Sequence, residues 1–441
     1  MLKVEVLSRK YGDSLTLKCT SIFTTERMGS RVKMKVWAQH LPRNYSVPSI
    51  FSLVSRHQRS LSSLSREDGK CIDYTRIHKC SNELAFGFDI DGVLLRGTNP
   101  VPGASKTLKF LQDSKIPFVL LTNGGGKTEG ERAAELSAIL DVPILKEDLI
   151  QSHTPFKELV NGTSTQEALK NKMVLVLGSS GEKCREIAME YGFGRILTAE
   201  DILMGYSDIW PLSKAINCYE KTHCSLPFQI NLEDLSKSLK VDAILVLDNP
   251  RDWALVIQII LDLLLSHKGY LGTYSSMNSN PQLPNCGWQQ DDQPALYFSN
   301  PDLFWASNCD LPRLGQGGFQ AAFEGVWKAT TRDAQLSCTT LGKPCDLAFS
   351  YAERVLLLNR PLRLGLDAPD LKTVWFVGDN QLTDIKGANQ FESPLGIEWK
   401  SILVMTGIHK SNSSIEYTPN LIASDVQEAV KYVIDARLNS I

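Results

Sequence analysis

The ten cysteines of this 441-residue chain include no C-x-x-C pair, and its seven histidines form no H-x-x-x-H pattern. The spacing therefore gives no support to a zinc site or a disulfide framework, and reduced, mostly buried thiols are the expectation. No apolar run is long enough for a bilayer. The longest, Ala254–Leu265, has twelve residues and contains Gln258 and Asp262, where a span needs about 20, so it reads as a buried helix and no integral membrane span is expected. The net charge is only −2, which argues against a general nucleic-acid binder. No internal repeat occurs, which removes solenoid architectures. What is left, 43% hydrophobic and 22% charged residues, is ordinary globular composition with room for two or three domains.

One absence is local. Residues 27–66 contain no Asp or Glu, but eight Lys or Arg and nine serines. With the whole chain at −2, those eight positives leave −10 for the remainder. An Arg- and Ser-rich, acid-free stretch near an N-terminus has the composition of a mitochondrial transit segment. A disordered basic tail on a cytoplasmic protein is the alternative. Residues 1–80 are accordingly read as an N-terminal extension and linker.

Beyond residue 83, short β-rich runs alternate with amphipathic stretches. The expected strands are Leu84–Asp89, Ile116–Thr122, Met173–Gly178, Val241–Asp248, Ala295–Ser299, Thr373–Gly378 and Ser401–Met405. The expected helices include Thr128–Leu140, Gly181–Tyr191, Trp253–Ser266 and Phe349–Leu358. Alternation of this kind predicts an α/β fold with parallel sheets. Two such series, separated by irregular stretches, suggest one α/β domain inserted into another.

Four short segments carry the chemistry. In FGFDIDGVLLRG (86–97) an apolar strand ends in Asp89 and Asp91. The i, i+2 spacing puts both carboxylates on one side of the strand end, where parallel sheets collect ligands. Two such carboxylates repel, so one binds a cation or keeps a proton, and both uses suit phosphoryl chemistry. D-x-D-G also opens calcium loops, but Val93, Leu94 and Pro100 occupy positions that need a ligand, a glycine and a glutamate. A pair of turn-capping aspartates is the plain structural reading.

The second segment, VLLTNGGGKTEG (119–130), runs from a strand through Thr122, Asn123 and three glycines beginning at Gly124 into a helix. Such a turn offers amides to an anion. It is not a P-loop, because Glu129 stands where that motif has its second glycine. In the third, VWFVGDNQLTDIKGAN (374–389), Asp379 ends a strand and Asp384 follows five residues later. Asp379 could complete a magnesium site, and Asp384 is either its neighbour or a helix N-cap. The fourth is Leu341-Gly-Lys-Pro344, in which Pro344 suits the first turn of a helix and Lys343 stands ahead of it. Lys343 is either a charge partner for a phosphate or a solvated lysine.

The order strand-DIDG, strand-TN, GKP, strand-GDxxxxD resembles the four motifs of haloacid dehalogenase (HAD) superfamily phosphatases, over about residues 84–410. The long interval between Asn123 and Lys343 resembles the inserted C2-type cap of subfamily IIA. Gln151–Phe156, Asp248–Trp253, Ser299–Asp302 and Gly315–Phe319 point to one branch of that subfamily. The resemblance implies a Rossmann-like core, a doubly wound parallel sheet, from residues 84–150 plus 336–441, with an α/β cap from 151–335. It implies Asp89 as nucleophile and Asp91 as general acid and base. Thr122, Asn123 and Gly124 would hold phosphate and Lys343 would orient it. Mg2+ would be bound by Asp89, Asp379 and the carbonyl of Asp91, with Asp384 behind them. In the cap, Asn300, Asp302, Arg251 and Trp253 are the candidates for reading a small phosphorylated metabolite, although packing is the plain reading of Trp253. The sequence leaves the oligomeric state open, although C2-capped relatives often form homodimers through the cap. The implied activity is Mg2+-dependent phosphatase chemistry through an aspartyl-phosphate. A phosphotransferase and a mitochondrial binding or scaffolding protein are the alternatives.

Overall fold

The computed structural model describes residues 82–439 other than 163–166, 212–233, 306, 308, 310 and 410–413, together with 66–67, 70–71 and 77. Apart from those last five positions, the extension expected at 1–80 lies outside the described residues. In the unit Met1–Ile72 the described residues pair Arg66–Glu67 antiparallel with Lys70–Cys71. The unit Asp73–Ile441 contains everything considered below.

Its main strands are β1 (Leu84–Phe88), β2 (Phe118–Leu121), β3 (Leu149–Ile150), β4 (Met173–Leu177), β5 (Arg195–Leu197), β6 (Ala243–Val246), β7 (Ala295–Phe298), β8 (Thr339–Thr340), β9 (Thr373–Gly378), β10 (Glu398–Val404) and β11 (Leu421–Ala423). The main helices are α1 (Ala104–Asp113), α2 (Glu129–Leu140), α3 (Gly181–Tyr191), α4 (Ala199–Gly205), α5 (Trp253–Leu265), α6 (Gln316–Thr331), α7 (Asp346–Leu364) and α8 (Val426–Asn439). They build two parallel sheets. The first has the order β11-β10-β9-β1-β2-β3 and the second β8-β7-β6-β4-β5.

The first sheet is doubly wound. Strand β1 is buried at every position, which is why it reads as an unbroken apolar run rather than an alternating one. Ala85 joins Phe349 and Ala352 of α7 and Phe376 of β9 in one cluster. Phe86 and Phe88 stack on each other with centroids 5.7 Å apart. Gly87 leaves room for a neighbour, since a Cβ there would lie 2.6 Å from the Phe376 ring. The strand order reverses between the parallel neighbours β1 and β9, the switch point at which such sheets bind ligands.

The second sheet is covered by α5 and α6. Leu255, Val256, Ile259, Ile260, Leu263 and Leu264 of α5 pack with Phe319, Phe323 and Trp327 of α6, and Asp252 caps α5 by accepting from Leu255 N at 3.0 Å. The greasy run is therefore a buried helix as expected, and no helix among the described residues is long and apolar enough to cross a membrane. The seven expected strands all form, five of them one to four residues shorter than expected, while β10 starts earlier, at Glu398. The expected boundary at 335/336 falls just before β8, which pairs with β7 in the second sheet. Helix α7 begins at Asp346 after its N-cap Cys345, so Pro344 precedes the cap instead of sitting in the first turn. The thiols correct an expectation too. The cysteines at 184, 286, 309, 338 and 345 are free, but Cys184 alone of these five is buried and Cys286 and Cys309 are exposed.

The chain first passes between the sheets at residues 151–157, where it builds a buried polar network. Glu129 Oε1, at the start of α2, accepts from Thr154 Oγ1 at 2.7 Å and Tyr191 Oη at 2.7 Å, and pairs with Lys157 Nζ at 3.0 Å. His153 Nδ1 lies 2.6 Å from the same Tyr191 hydroxyl. Because that hydroxyl donates to Glu129, the ring nitrogen must be the donor to it, which defines a neutral tautomer. Burial pushes the His153 ring down to about 4, against the attraction of Glu129. A depressed imidazole stabilises the fold above its unfolded value near 6.5 and loses that contribution as pH falls toward 4, about 3 kcal/mol in all. Denaturant titrations from pH 7 to pH 4 should show this loss in the wild-type chain and a smaller one in His153→Gln. Equal losses would place the pH dependence elsewhere.

Candidate active site

The carboxyl ends of β1, β2 and β9 bring the sequence-predicted residues together. Asp89 leaves β1 with its amide donating to Val377 O at 2.9 Å. Its Oδ1 accepts from Lys343 Nζ at 2.8 Å, and the same ammonium donates to Asp384 Oδ1 at 2.7 Å. Lys343 is 1% exposed and lies 5.4 Å above the centre of the Phe376 ring. It is a buried bridge between two carboxylates, and the solvated-lysine reading is wrong.

Asn123 holds that lysine by its backbone. The Asn123 side chain donates through Nδ2 to Lys343 O at 3.0 Å and accepts through Oδ1 from Lys343 N at 2.9 Å. Gly342 makes this approach feasible, since a Cβ there would lie 2.8 Å from Asn123 Oδ1 and 2.4 Å from Ser299 O. Thr122 Oγ1 accepts from Gly124 N at 3.0 Å. That engages the Gly124 amide and leaves the Thr122 proton free to donate to an anion. Helix α2 starts behind this turn with a capping box: Thr128 Oγ1 accepts from Glu131 N, and Glu131 Oε2 from Thr128 N.

Asp379 lies in a glycine-walled cradle. A Cβ on Gly92 would come within 2.4 Å of its Oδ2, and one on Gly407 within 1.8 Å. Gly92 also takes φ 92°, which a side chain would strain. The Asp379 Oδ2 accepts from Ile408 N at 2.6 Å. Asp384 is not the N-cap of its helical turn, a position held by Asn380. Its Oδ2 reaches back to the amides of Asp379 and Asn380, both at 3.1 Å.

The electrostatics follow from burial. Burial drives the Asp89 carboxyl well above its ordinary range, with repulsion from Asp384, Asp379 and Asp91 adding to it and Lys343 opposing. Burial and then the Asp384 charge push Asp379 up as well. Burial raises Asp91 against the pull of Arg132 and Lys343. Lys343 is lowered by burial but raised more by Asp384 and Asp89, and ends above its ordinary value. Four carboxylates thus face one buried ammonium. Asp89, Asp379 and Asp384 each offer an oxygen, all within 4.8 Å of one another, a donor set of hard oxygens that suits a divalent cation.

The second sheet reaches this site with the ends of β6 and β7. A Cβ on Gly125 would lie 3.2 Å from Leu247 O, and one on Gly126 2.6 Å from Asp248 Oδ2. Asn300 Nδ2 donates to Asn123 O at 2.9 Å. Asp302 feels Lys343, Asp384 and Asp91, and burial raises its carboxyl to about 6. Trp253 packs edge-on against Phe319 at 5.7 Å, and Arg251 is exposed. Among the described residues, neither forms a hydrogen bond, ion pair or ring contact with the groups around Asp89. Two contributors went unread in the sequence. Ile408 supplies the amide on Asp379, signalled only by the Thr-Gly that follows β10. Gln316 Oε1 accepts from Asn300 N at 3.0 Å, within a glycine-rich segment noted only as a family marker.

Comparison with known proteins agrees with this architecture. Residues 86–194 match a family model described as haloacid dehalogenase-like hydrolase, and residues 340–429 a second one described as HAD-hydrolase-like. A Schizosaccharomyces pombe protein described as a cardiolipin synthase (CMP-forming)/mitochondrial hydrolase fusion is 35% identical over 354 residues, covering 80% of this chain and 53% of that protein. A Saccharomyces cerevisiae mitochondrial hydrolase is 36% identical over 373 residues, covering 80% of this chain and 96% of the relative. This chain therefore spans about half of the fusion protein and nearly all of the budding-yeast one. A hypothetical protein from Pyrococcus horikoshii has a solved structure with TM-score 0.51 and 20% identity, covering 79% of this chain and 99% of that one. The chain belongs to the haloacid dehalogenase-like hydrolases.

Removing the buried ammonium should be costly. Lys343→Met leaves Asp89 and Asp384 unpaired and should destabilise the chain by about 3–5 kcal/mol. Adding Asp384→Asn removes one stranded charge and should recover part of that loss in denaturant unfolding. A double variant weaker than the single one by the full cost of Asp384→Asn would contradict the shared bridge.

Proposed function

We propose that this hydrolase is a phosphoric monoester phosphatase that works through an aspartyl-phosphate on Asp89. The observation that carries the reading is the arrangement at the end of β1: Asp89 held by Lys343 at 2.8 Å, with Asp91 two residues on and buried carboxylates beside it.

The Asp89 oxygen not bonded to Lys343 attacks phosphorus while the bond to the leaving alcohol breaks. The Asp91 carboxyl, whose pKa burial raises, gives its proton to the leaving oxygen. Asp91, now a carboxylate, takes a proton from water as the water oxygen attacks phosphorus and the bond to Asp89 breaks. Lys343 and the Thr122 hydroxyl offset charge on the non-bridging oxygens. The acid group fits Mg2+, which Asp89, Asp379 and the Asp91 carbonyl would hold, with Asp384 oriented behind them. When bound, the ion supplies charge neutralisation and Lewis acidity at the phosphoryl group.

Phosphate release from an aryl phosphate and a panel of small esters tests the reading. The wild-type chain should turn over with added Mg2+, and Asp89→Asn should lose at least about 10³-fold; an active Asp89→Asn would sink it. Independently of turnover, Mg2+ at a hundredfold excess over its dissociation constant should stabilise the chain by about 2.7 kcal/mol. The thermal shift should vanish in Asp379→Asn. A shift retained there would move the metal elsewhere.

We also place the protein in mitochondria, on the acid-free, Arg- and Ser-rich composition of residues 27–66 and the descriptions of its yeast relatives. A reporter carrying residues 1–80 should be imported; a cytosolic reporter would refute the assignment.

A further inference from the structure

The second sheet places one rigid turn over the phosphate site. It is Ser299–Asp302, after β7. Asn300 is fixed from two directions: its Nδ2 donates to Asn123 O at 2.9 Å and its amide to Gln316 Oε1 at 3.0 Å. Gln316 is itself anchored by Nε2 donating to Val246 O at 3.2 Å. Asn300 Oδ1 in turn accepts from Asp302 N at 3.0 Å. The start of α6 closes the other side. A Cβ on Gly315 would lie 2.4 Å from Asp302 O, and one on Gly317 2.1 Å from Pro301 O. Asp302 therefore has little freedom to move away from the position its neighbours impose.

That position has an unmet requirement. Asp302 Oδ1 is sealed from solvent and has no hydrogen-bond partner. Buried carboxylate oxygens are rarely left so unless something outside the chain completes them. The Asp302 carboxyl lies among Lys343, the Asn123 side chain, Asp384 and Asp91, and its turn is bonded to Asn123 O at 2.9 Å, so the group borders the phosphate site from the second sheet. The reaction proposed above leaves Asp302 without a task. It does, however, locate the departing alcohol, because Asp91 must meet the leaving oxygen. Substituents on that alcohol then pass beside Asp302.

We propose that Asp302 is a specificity-determining residue that accepts a hydrogen bond from a hydroxyl or ammonium group on the leaving alcohol. The substrate class is then phosphate monoesters of polyols or amino alcohols. Esters whose alcohol carries a carboxylate are disfavoured, since that charge would face Asp302 in a site already rich in carboxylates. The inference rests on the phosphatase reading for the position of the alcohol.

Equilibrium binding separates the two. The full chain carrying Asp89→Asn would be titrated calorimetrically, in Mg2+ buffer, with O-phosphoethanolamine, glycerol 3-phosphate, phosphoglycolate and inorganic phosphate. The same series would be run with Asp302→Asn added, a nearly isosteric change that removes the charge. With Asp302 intact, O-phosphoethanolamine should bind at least about tenfold more tightly than phosphoglycolate. Asp302→Asn should bring the two within about threefold while leaving inorganic phosphate unchanged. An unchanged ratio, or an equal weakening of all four probes, would overturn the assignment. Failure of the phosphatase reading looks different: no ester would be hydrolysed by the wild-type chain, whatever the binding ratios. An Asp302-dependent ratio without any turnover would uphold the selectivity and reject the reaction.

Discussion

The buried ammonium of Lys343 is the interaction on which the rest of the site depends. It bridges Asp89 and Asp384 at 2.8 and 2.7 Å, in a place where an unpaired charge of either sign would be severely penalised. Asp384 then reaches the amides of Asp379 and Asn380, which sets the direction of the chain leaving β9. Asn123 clamps the lysine's own amide and carbonyl, which ties the end of β2 to the same point. One cation thereby connects three strand ends. Because the carboxyl groups outnumber it, the site keeps acidic oxygens without a cationic partner, a suitable condition for binding a divalent cation.

The arrangement also divides labour between the sheets. Asp89, Asp91, Thr122, Lys343, Asp379 and Asp384 all belong to the ends of first-sheet elements or, for Lys343, to the segment returning to them. In the proposed reaction they meet only the phosphoryl group and the leaving oxygen. Contacts from the second sheet arrive through backbone and amides, Leu247 O against Gly125 and Asn300 on Asn123 O. Asp302 adds a carboxyl whose Oδ1 has no hydrogen-bond partner. On the proposed reaction, selection among substrates would belong to a different set of residues from the chemistry, and the two could vary independently.

What was legible in the sequence was what physics makes local. Strand β1 and strand β9 are apolar runs that stop at aspartates, so both the strands and their acidic ends could be read. The four motifs and their order were enough for the core site. Edge strands were not legible, because Leu149–Ile150, Arg195–Leu197, Thr339–Thr340 and Leu421–Ala423 are two or three residues long and carry too little pattern. Strand β10 was read too short at its start because Glu398 and Lys400 interrupt the apolar run. Long-range hydrogen bonds left no trace either. The Asn123–Lys343 clamp joins residues 220 apart, and nothing near Asn123 says that its side chain, besides its backbone, is committed. Asp384 offered an N-cap and a metal neighbour equally well until its oxygens could be followed to Lys343 and two amides.

The account stands or falls on Asp89 as the nucleophile. Quenching the wild-type chain with borohydride during turnover of a phosphate ester would reduce an acyl phosphate to the alcohol, and peptide mass spectrometry would locate the altered residue. The account predicts conversion at Asp89, dependent on substrate and absent from Asp89→Asn. Efficient turnover with an unmodified Asp89, or modification confined to another carboxylate, would contradict it.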